Sequence, residues 1–286
     1  MFAIGCGPAW EAPLEADALE SSAEAVVRDN GLNLNGLNLN GLNLNGLNLN
    51  GLNLNGFSTK NFYDWFQVDP ASRATVMKYI VECAVPAGET RTYTPTGSTT
   101  TYQWTGVLGL APSWSSGQAA STVELQVVSA CLAAHANKYN LHVNISLRGL
   151  TAANAPISTT SQENSSYTLR EGCFFGNLFD GTTGVFSAND GLTLTAQQSS
   201  PRVCGLAGTQ CAPMVHVGSC ASRFTLDATG TYYTSCTYNN VTYRPITTRM
   251  LPADIATCGN GVCERTETCK ANTESLRCTA DCGTCS

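Results

Sequence analysis

Charge is scarce in this chain, and histidine is scarcer. Lys, Arg, Asp and Glu make up 13% of its 286 residues, and there are three histidines. An average soluble protein has about twice that share of charge. What charge there is lies unevenly. Residues 1–29 hold Glu11, Glu15, Asp17, Glu20, Glu24 and Asp29 against Arg28 alone, while the other 257 residues carry 15 acids and 14 bases. So neutral a body has no basic stripe, which argues against nucleic acid as a partner. No apolar run approaches the ~18 residues of a membrane-spanning helix. There is no G-x-S-x-G, H-E-x-x-H, P-loop or dinucleotide fingerprint, so no residue is assigned a catalytic role. A non-enzymatic binding, adhesion or scaffold module is the first expectation. A secreted hydrolase with its site in residues 57–254 is the second.

What is abundant is cysteine. Fourteen cysteines beside three histidines point to disulfides in an oxidising space outside the cytoplasm. The disulfide candidates are Cys83, Cys131, Cys173, Cys204, Cys211, Cys220 and Cys236 in the body, and Cys258, Cys263, Cys269, Cys278, Cys282 and Cys285 in the tail. Six can pair among themselves and seven cannot, so one body cysteine is free, pairs outside its domain, or pairs with Cys6. Cys6 ends the stretch Ala-Ile-Gly-Cys, which resembles the lipobox of bacterial lipoproteins. That resemblance implies export, cleavage before Cys6 and a lipid on its sulfur, with a hydrophobic segment that begins upstream of Met1. The expected location is the outer membrane or cell surface, or the medium.

Four segments follow in order: a truncated signal or lipid anchor with an acidic spacer (1–29), a repeat (30–56), a Cys-containing body (57–254) and a Cys-rich tail (255–286). The repeat contains five copies of GLNLN without a charged side chain. At 100° per residue its leucines scatter around a helix, which excludes a helical face. In a flat strand, Leu32 and Leu34 share one side and the step to Leu37 reverses it. A bend at each Asn-Gly would restore one face, and the result resembles a pentapeptide-repeat β-solenoid. Asn33 and Leu34 match that family's polar-then-Leu positions, whereas Leu32 stands where the family prefers a small residue. The repeat is expected to be an incomplete coil docked on the body, a linker of up to about 90 Å, or a strand that self-associates with copies from other molecules.

The body reads as α+β and β-rich, stapled by disulfides, with two helices. Asp69 caps a helix whose first residue is Pro70 and whose apolar face holds Val76, Met77, Ile80, Cys83 and Ala84. Ser121-x-x-Glu124 opens a second, with Val128, Cys131, Leu132 and His135 along one face and an end near Tyr139. Thr- and aromatic-rich strands flank a turn near Pro95. In residues 141–148, Leu141, Val143, Ile145 and Leu147 face the core, and His142, Asn144, Ser146 and Arg148 face water. Asn239-Asn240 turns a hairpin.

Chemistry is sparse in these patterns. Cys131 and His135 share a helix face as a thiol and base would, but their apolar surroundings favour a disulfide or buried thiol beside a core histidine. Trp65, Trp104 and Trp114, with the Tyr-rich hairpin, could form a stacking platform for a surface glycan; a protein ligand is the other expectation. The ending, CGNGVCE…ETC…DC, resembles Cys-rich tail units of secreted and surface proteins of Gram-negative bacteria. Asn260, Glu264, Glu267 and Asp281 there offer oxygen ligands of the kind that suits calcium. No other cofactor is expected.

Overall fold

The computed structural model describes residues 27–29, 51–136, 143–192, 194, 198, 214–255, 257–263 and 278–283, and the structural statements below concern these. In chain order they form strand β1 (Val27–Asp29), helices α1 (Lys60–Val68) and α2 (Pro70–Ala84), and strands β2 (Thr90–Tyr93) and β3 (Tyr102–Thr105). Helix α3 (Thr122–His135), strand β4 (Asn144–Gly149), helix α4 (Ser161–Ser166) and strands β5 (Leu169–Asn177) and β6 (Gly184–Asn189) follow. The last strands are β7 (Met214–Ser219), β8 (Phe224–Leu226), β9 (Tyr233–Tyr238), β10 (Val241–Tyr243) and β11 (Ile246–Met250). Single helical turns occur at Leu54–Phe57, Pro112–Ser115 and Thr279–Cys282. The class is α+β with disulfides.

Capping chemistry sets the helix starts. Asp69 accepts the Ser72 N–H at 3.2 Å ahead of Pro70. At α3 the Ser121 hydroxyl accepts the Glu124 N–H (3.3 Å), and the Glu124 carboxylate accepts the Ser121 N–H (2.8 Å), a closed capping box. The other oxygen of Glu124 accepts the N–H groups of Ser113 and Trp114, so one carboxylate caps two helical starts. Helix α1 was not among the expected elements, although Phe62, Trp65 and Phe66 have helical spacing and all are buried.

The main sheet runs β1-β4-β11-β5-β6-β7, antiparallel except for the parallel pair β6–β7. Helix α3 covers one face, where Ile145, Leu147, Phe174, Ile246 and Met250 join the main core. A three-stranded sheet, β10-β9-β8, covers part of the other. There Cys173, Ala188, Phe175 and Phe186 meet Cys220, Tyr233, Cys236 and Tyr243 in two smaller clusters. The β9–β10 turn places Asn239 and Asn240 at φ 48° and 60°, as the hairpin reading requires. Strands β2 and β3 make a separate two-stranded hairpin.

Two sequence expectations are corrected. Helix α3 is buried on nearly every side from Gln126 to His135, because it lies between the sheet and α2, so a single apolar face was too narrow a description. The expected wet face of strand β4 is dry at Ser146, fully buried, and at Arg148, 4% exposed, where Glu163 and Asn164 of α4 cover it, while Asn144 at the strand's start is half-buried.

The final GLNLN copy is docked. Leu52 is fully buried; its N–H donates to the Trp114 carbonyl (2.9 Å) and its own carbonyl accepts from Arg91 Nε (2.7 Å). The Asn53 side chain then accepts the N–H groups of Asn55 and Gly56, starting the turn at Leu54–Phe57. Gly51, at φ 81°, lies against Gly117, where an added Cβ would come within 2.3 Å of the Gly117 Cα. Glycine is required at that contact. Copies before Gly51 lie outside the described residues.

Candidate functional site

Cys131 and His135, the residues that could have made a thiol–base pair, are locked in place. Cys131 is bonded to Cys83, and His135 Nδ1 lies 2.8 Å from the Cys131 carbonyl and packs on Tyr79. All three are buried, so the disulfide-beside-histidine reading holds there. His142 lies outside the described residues. His216 Nδ1 is 3.3 Å from Ser187 Oγ across the parallel strand pair, and burial pulls its pKa below the ordinary imidazole value. Ser187 is fully buried, so its hydroxyl is not presented to a substrate.

Charge concentrates on the sheet face opposite α3. Arg148 donates through Nε to Ser146 Oγ (2.7 Å) and through Nη1 to Asn164, and its Nη2 is 3.6 Å from Glu163. Ser146 Oγ donates to the same Glu163 oxygen. Arg170 pairs with Asp190, which also accepts from the Tyr233 hydroxyl at 3.0 Å. Arg249 donates to the carbonyls of Tyr167, Thr231 and Thr168. Burial lowers the pKa of Arg148 against the pull of Glu163; burial, then Arg148 and Arg170, lowers that of Arg249. These groups bind one another and the backbone, an arrangement that fixes α4 and the 227–233 turn to the sheet.

The disulfides Cys83–Cys131, Cys173–Cys220, Cys258–Cys278 and Cys263–Cys282 form. Cys236 is unpaired and buried, and burial pushes its thiol up to about 12. Cys6, Cys204, Cys211, Cys269 and Cys285 lie outside the described residues, as do Glu264 and Glu267. Of the expected calcium ligands, Asn260 and Asp281 meet directly. Asp281 accepts the N–H groups of Gly259 (2.6 Å), Asn260 (3.2 Å) and Gly261 (2.9 Å). Gly259 and Gly261, at φ 93° and 81°, let three successive N–H groups converge on it. The CGNG motif thus closes a turn on a carboxylate whose charge the backbone already meets.

Trp65, Trp104 and Trp114 are all buried, at 4%, 5% and 0% exposure, so they form no stacking platform. They belong instead to a core that includes Phe57, Phe62, Phe66 and Tyr93. Beside that core, next to the point where Phe62 and Phe66 of α1 pack on Tyr93 of β2, lies an open cleft of about 670 Å³ lined by Phe57, Ser58, Lys60, Tyr63, Thr92, Tyr93, Thr94 and Thr96. Phe57 and Tyr93, nearly buried, form its floor; Tyr63, 37% exposed, stands on the α1 wall. Burial, and then the neighbouring Tyr63, raises the pKa of Tyr93. The Lys60 ammonium is held 2.5 Å from Asp64, so its charge is met at the rim. A floor of aromatic carbon with hydroxyl walls suits a neutral ligand that offers both apolar surface and hydrogen-bonding groups. Sequence reasoning missed this place. The signal was Tyr63, off the buried Phe62–Trp65–Phe66 side of the helix, opposite the alternating threonines of TYTPT. Comparison with family models, with curated proteins and with solved structures gives no match.

Proposed function

We propose that the chain is a non-enzymatic binding protein of the cell envelope, tethered through a lipid on Cys6, and that its ligand seat is the cleft between α1 and β2. Four disulfides fit an oxidising, extracytoplasmic space, and no described helix is long and apolar enough to cross a membrane. The observation that carries the reading is the cleft lining. Its volume lies in the range of ligand sites, and its one cation, Lys60, is already ion-paired with Asp64. Aromatic faces and hydroxyls are recognition groups. The two lining groups best suited to such chemistry are engaged elsewhere, the Ser58 hydroxyl donating to the Asn55 carbonyl and the Lys60 ammonium to Asp64.

The test is a calorimetric screen of the purified chain against neutral polysaccharides and uncharged peptides, run beside Tyr63→Ala. Saturable binding weakened by Tyr63→Ala, with the ligand recovered intact, is expected. Turnover of any bound compound, or binding indifferent to Tyr63→Ala, would overturn the reading. Intact mass of the mature N-terminus tests the tether: an unmodified Cys6 removes it.

A further inference from the structure

We infer that the cleft takes an extended, uncharged peptide as an added strand on β2, and that the peptide is a GLNLN copy from a second molecule of this chain. The inference rests on reading the cleft as the ligand seat. Among the described residues β2 has one neighbour, β3. Three consecutive β2-side residues, Thr92, Tyr93 and Thr94, line the cleft, so a ligand there lies along the strand's unpaired edge. An open edge of this kind is a template for another strand, main chain to main chain.

The two faces of that edge match the repeat. On β2, Tyr93 points inward beside Phe57, with the two ring centroids 6.1 Å apart, while Thr92 and Thr94 are exposed on the outer side. A strand added to β2 continues both faces. In an extended GLNLN the two leucines share one side and the asparagines the other. The leucines therefore fall on the Tyr93 side, against the exposed ring of Tyr63 and over the nearly closed floor of Phe57 and Tyr93, and the asparagine amides fall beside the threonine hydroxyls. Charge agrees as well: the repeat has none, and Lys60 is neutralised by Asp64, so no unpaired charge is desolvated on docking. So does length. Strand β2 spans four residues, and at about 3.3 Å per residue one five-residue copy covers it with a residue to spare.

The last copy is itself packed on the body, at Trp114 and the Arg91 side chain rather than in the cleft. The body buries Leu52 of that copy and bonds both of its backbone groups, one of them to Arg91 of β2 itself. That copy is committed to its own chain. Four identical copies precede it in the sequence, against one such cleft among the described residues, and copies left to dock on neighbours would give avidity in an assembly.

The test uses the full chain and a synthetic twelve-residue peptide, NGLNLNGLNLNG. Saturable binding by fluorescence anisotropy is expected, lost when the peptide's leucines become serines. Thr92→Lys with Thr94→Lys places charge on the exposed edge and should weaken binding by about tenfold or more; Tyr63→Ala, on the opposite wall, should weaken it independently. Sedimentation of the full chain should show concentration-dependent association that the peptide competes away. No binding of the peptide, or binding unchanged in both variants, overturns the inference. If a neutral oligosaccharide binds and responds to Tyr63→Ala while the peptide does not bind, the strand-addition inference fails and the cleft remains the ligand seat. If no ligand of either class responds to Tyr63→Ala, both fail.

Discussion

Glu163→Gln tests the buried charge network with little change of shape. The glutamine oxygen can still accept the Ser146 hydroxyl that Glu163 accepts, so what is lost is the negative charge 3.6 Å from Arg148 Nη2. Both side chains are almost wholly out of water, at 4% and 1% exposure. Arg148 cannot shed its proton at neutral pH, and the variant would leave it as a buried cation with only neutral partners. Removing one member of such a pair costs about 3–5 kcal/mol. That is a large part of the roughly 5–15 kcal/mol of a whole domain. For a body of this size it lowers the melting temperature by about 6–20 °C. The assay is urea unfolding with disulfides intact, on Glu163→Gln, Arg148→Met and the double variant. The double variant should be more stable than the sum of the single losses predicts, because it removes the stranded charge as well as its partner. A Glu163→Gln loss under about 1 kcal/mol, or additive losses, would refute the claim that the polar face of β4 is a desolvated pair.

The remaining predictions concern single groups. Leu52→Ala should cost about 2–5 kcal/mol, as for other buried leucines, read by calorimetry; a loss within about 0.5 kcal/mol would mean that the last copy is not docked. His216 has a depressed pKa in the fold, whereas the unfolded imidazole titrates near ~6.5. As pH falls below ~6.5 the unfolded chain takes up a proton that the folded chain refuses, so this contribution is fully present above ~6.5 and is lost as pH falls toward the folded value. His216→Gln should flatten the urea midpoint against pH in that window, and an unchanged slope would count against it. Cys236, with its thiol pushed up to about 12, should resist alkylation in the native chain at about pH 8 and react once unfolded; native labelling at the rate of an exposed thiol would contradict its burial.

What could be read from sequence was local. Asp69-Pro70 and Ser121-x-x-Glu124 announce helix starts because a cap needs only three or four consecutive residues. Asn239-Asn240 announces a hairpin because asparagine tolerates positive φ. What could not be read depends on partners remote in the chain. Ser146 and Arg148 alternate like a wet face, and only the placement of Glu163 and Asn164 beside them makes that face dry. Cys83 and Cys131 are 48 residues apart, and no spacing rule selects that pair. The tryptophans misled in the same way. An aromatic reads the same in sequence whether it is core or platform, and the exposed ring of the cleft is the less conspicuous Tyr63.

The repeat takes on a different meaning once its two flanks are located. Drawn as a linker, residues 30–56 would add up to about 90 Å between an anchored N-terminus and the body. Yet Val27–Asp29 already pairs with Asn144–Ser146 at the edge of the main sheet, and Leu52 is sunk beside Trp114 in the same core. With both flanks fixed to one body, the length of the repeat adds nothing to the reach of the tether. Under the tether proposed at Cys6, that reach would be set by the residues between Cys6 and Val27, roughly 70 Å at full extension. Selection for distance would therefore act on the Ala- and Glu-rich segment, and a change in the number of GLNLN copies should leave the distance from membrane to body unaltered. Copy number would instead scale how many uncharged Leu-Asn strands each molecule offers to its neighbours. Chains with two and with five copies, compared by sedimentation and by the height of the body above a supported bilayer, separate the two roles. Association should grow with copy number at constant height, and a height that grows with copy number would return the repeat to the role of spacer.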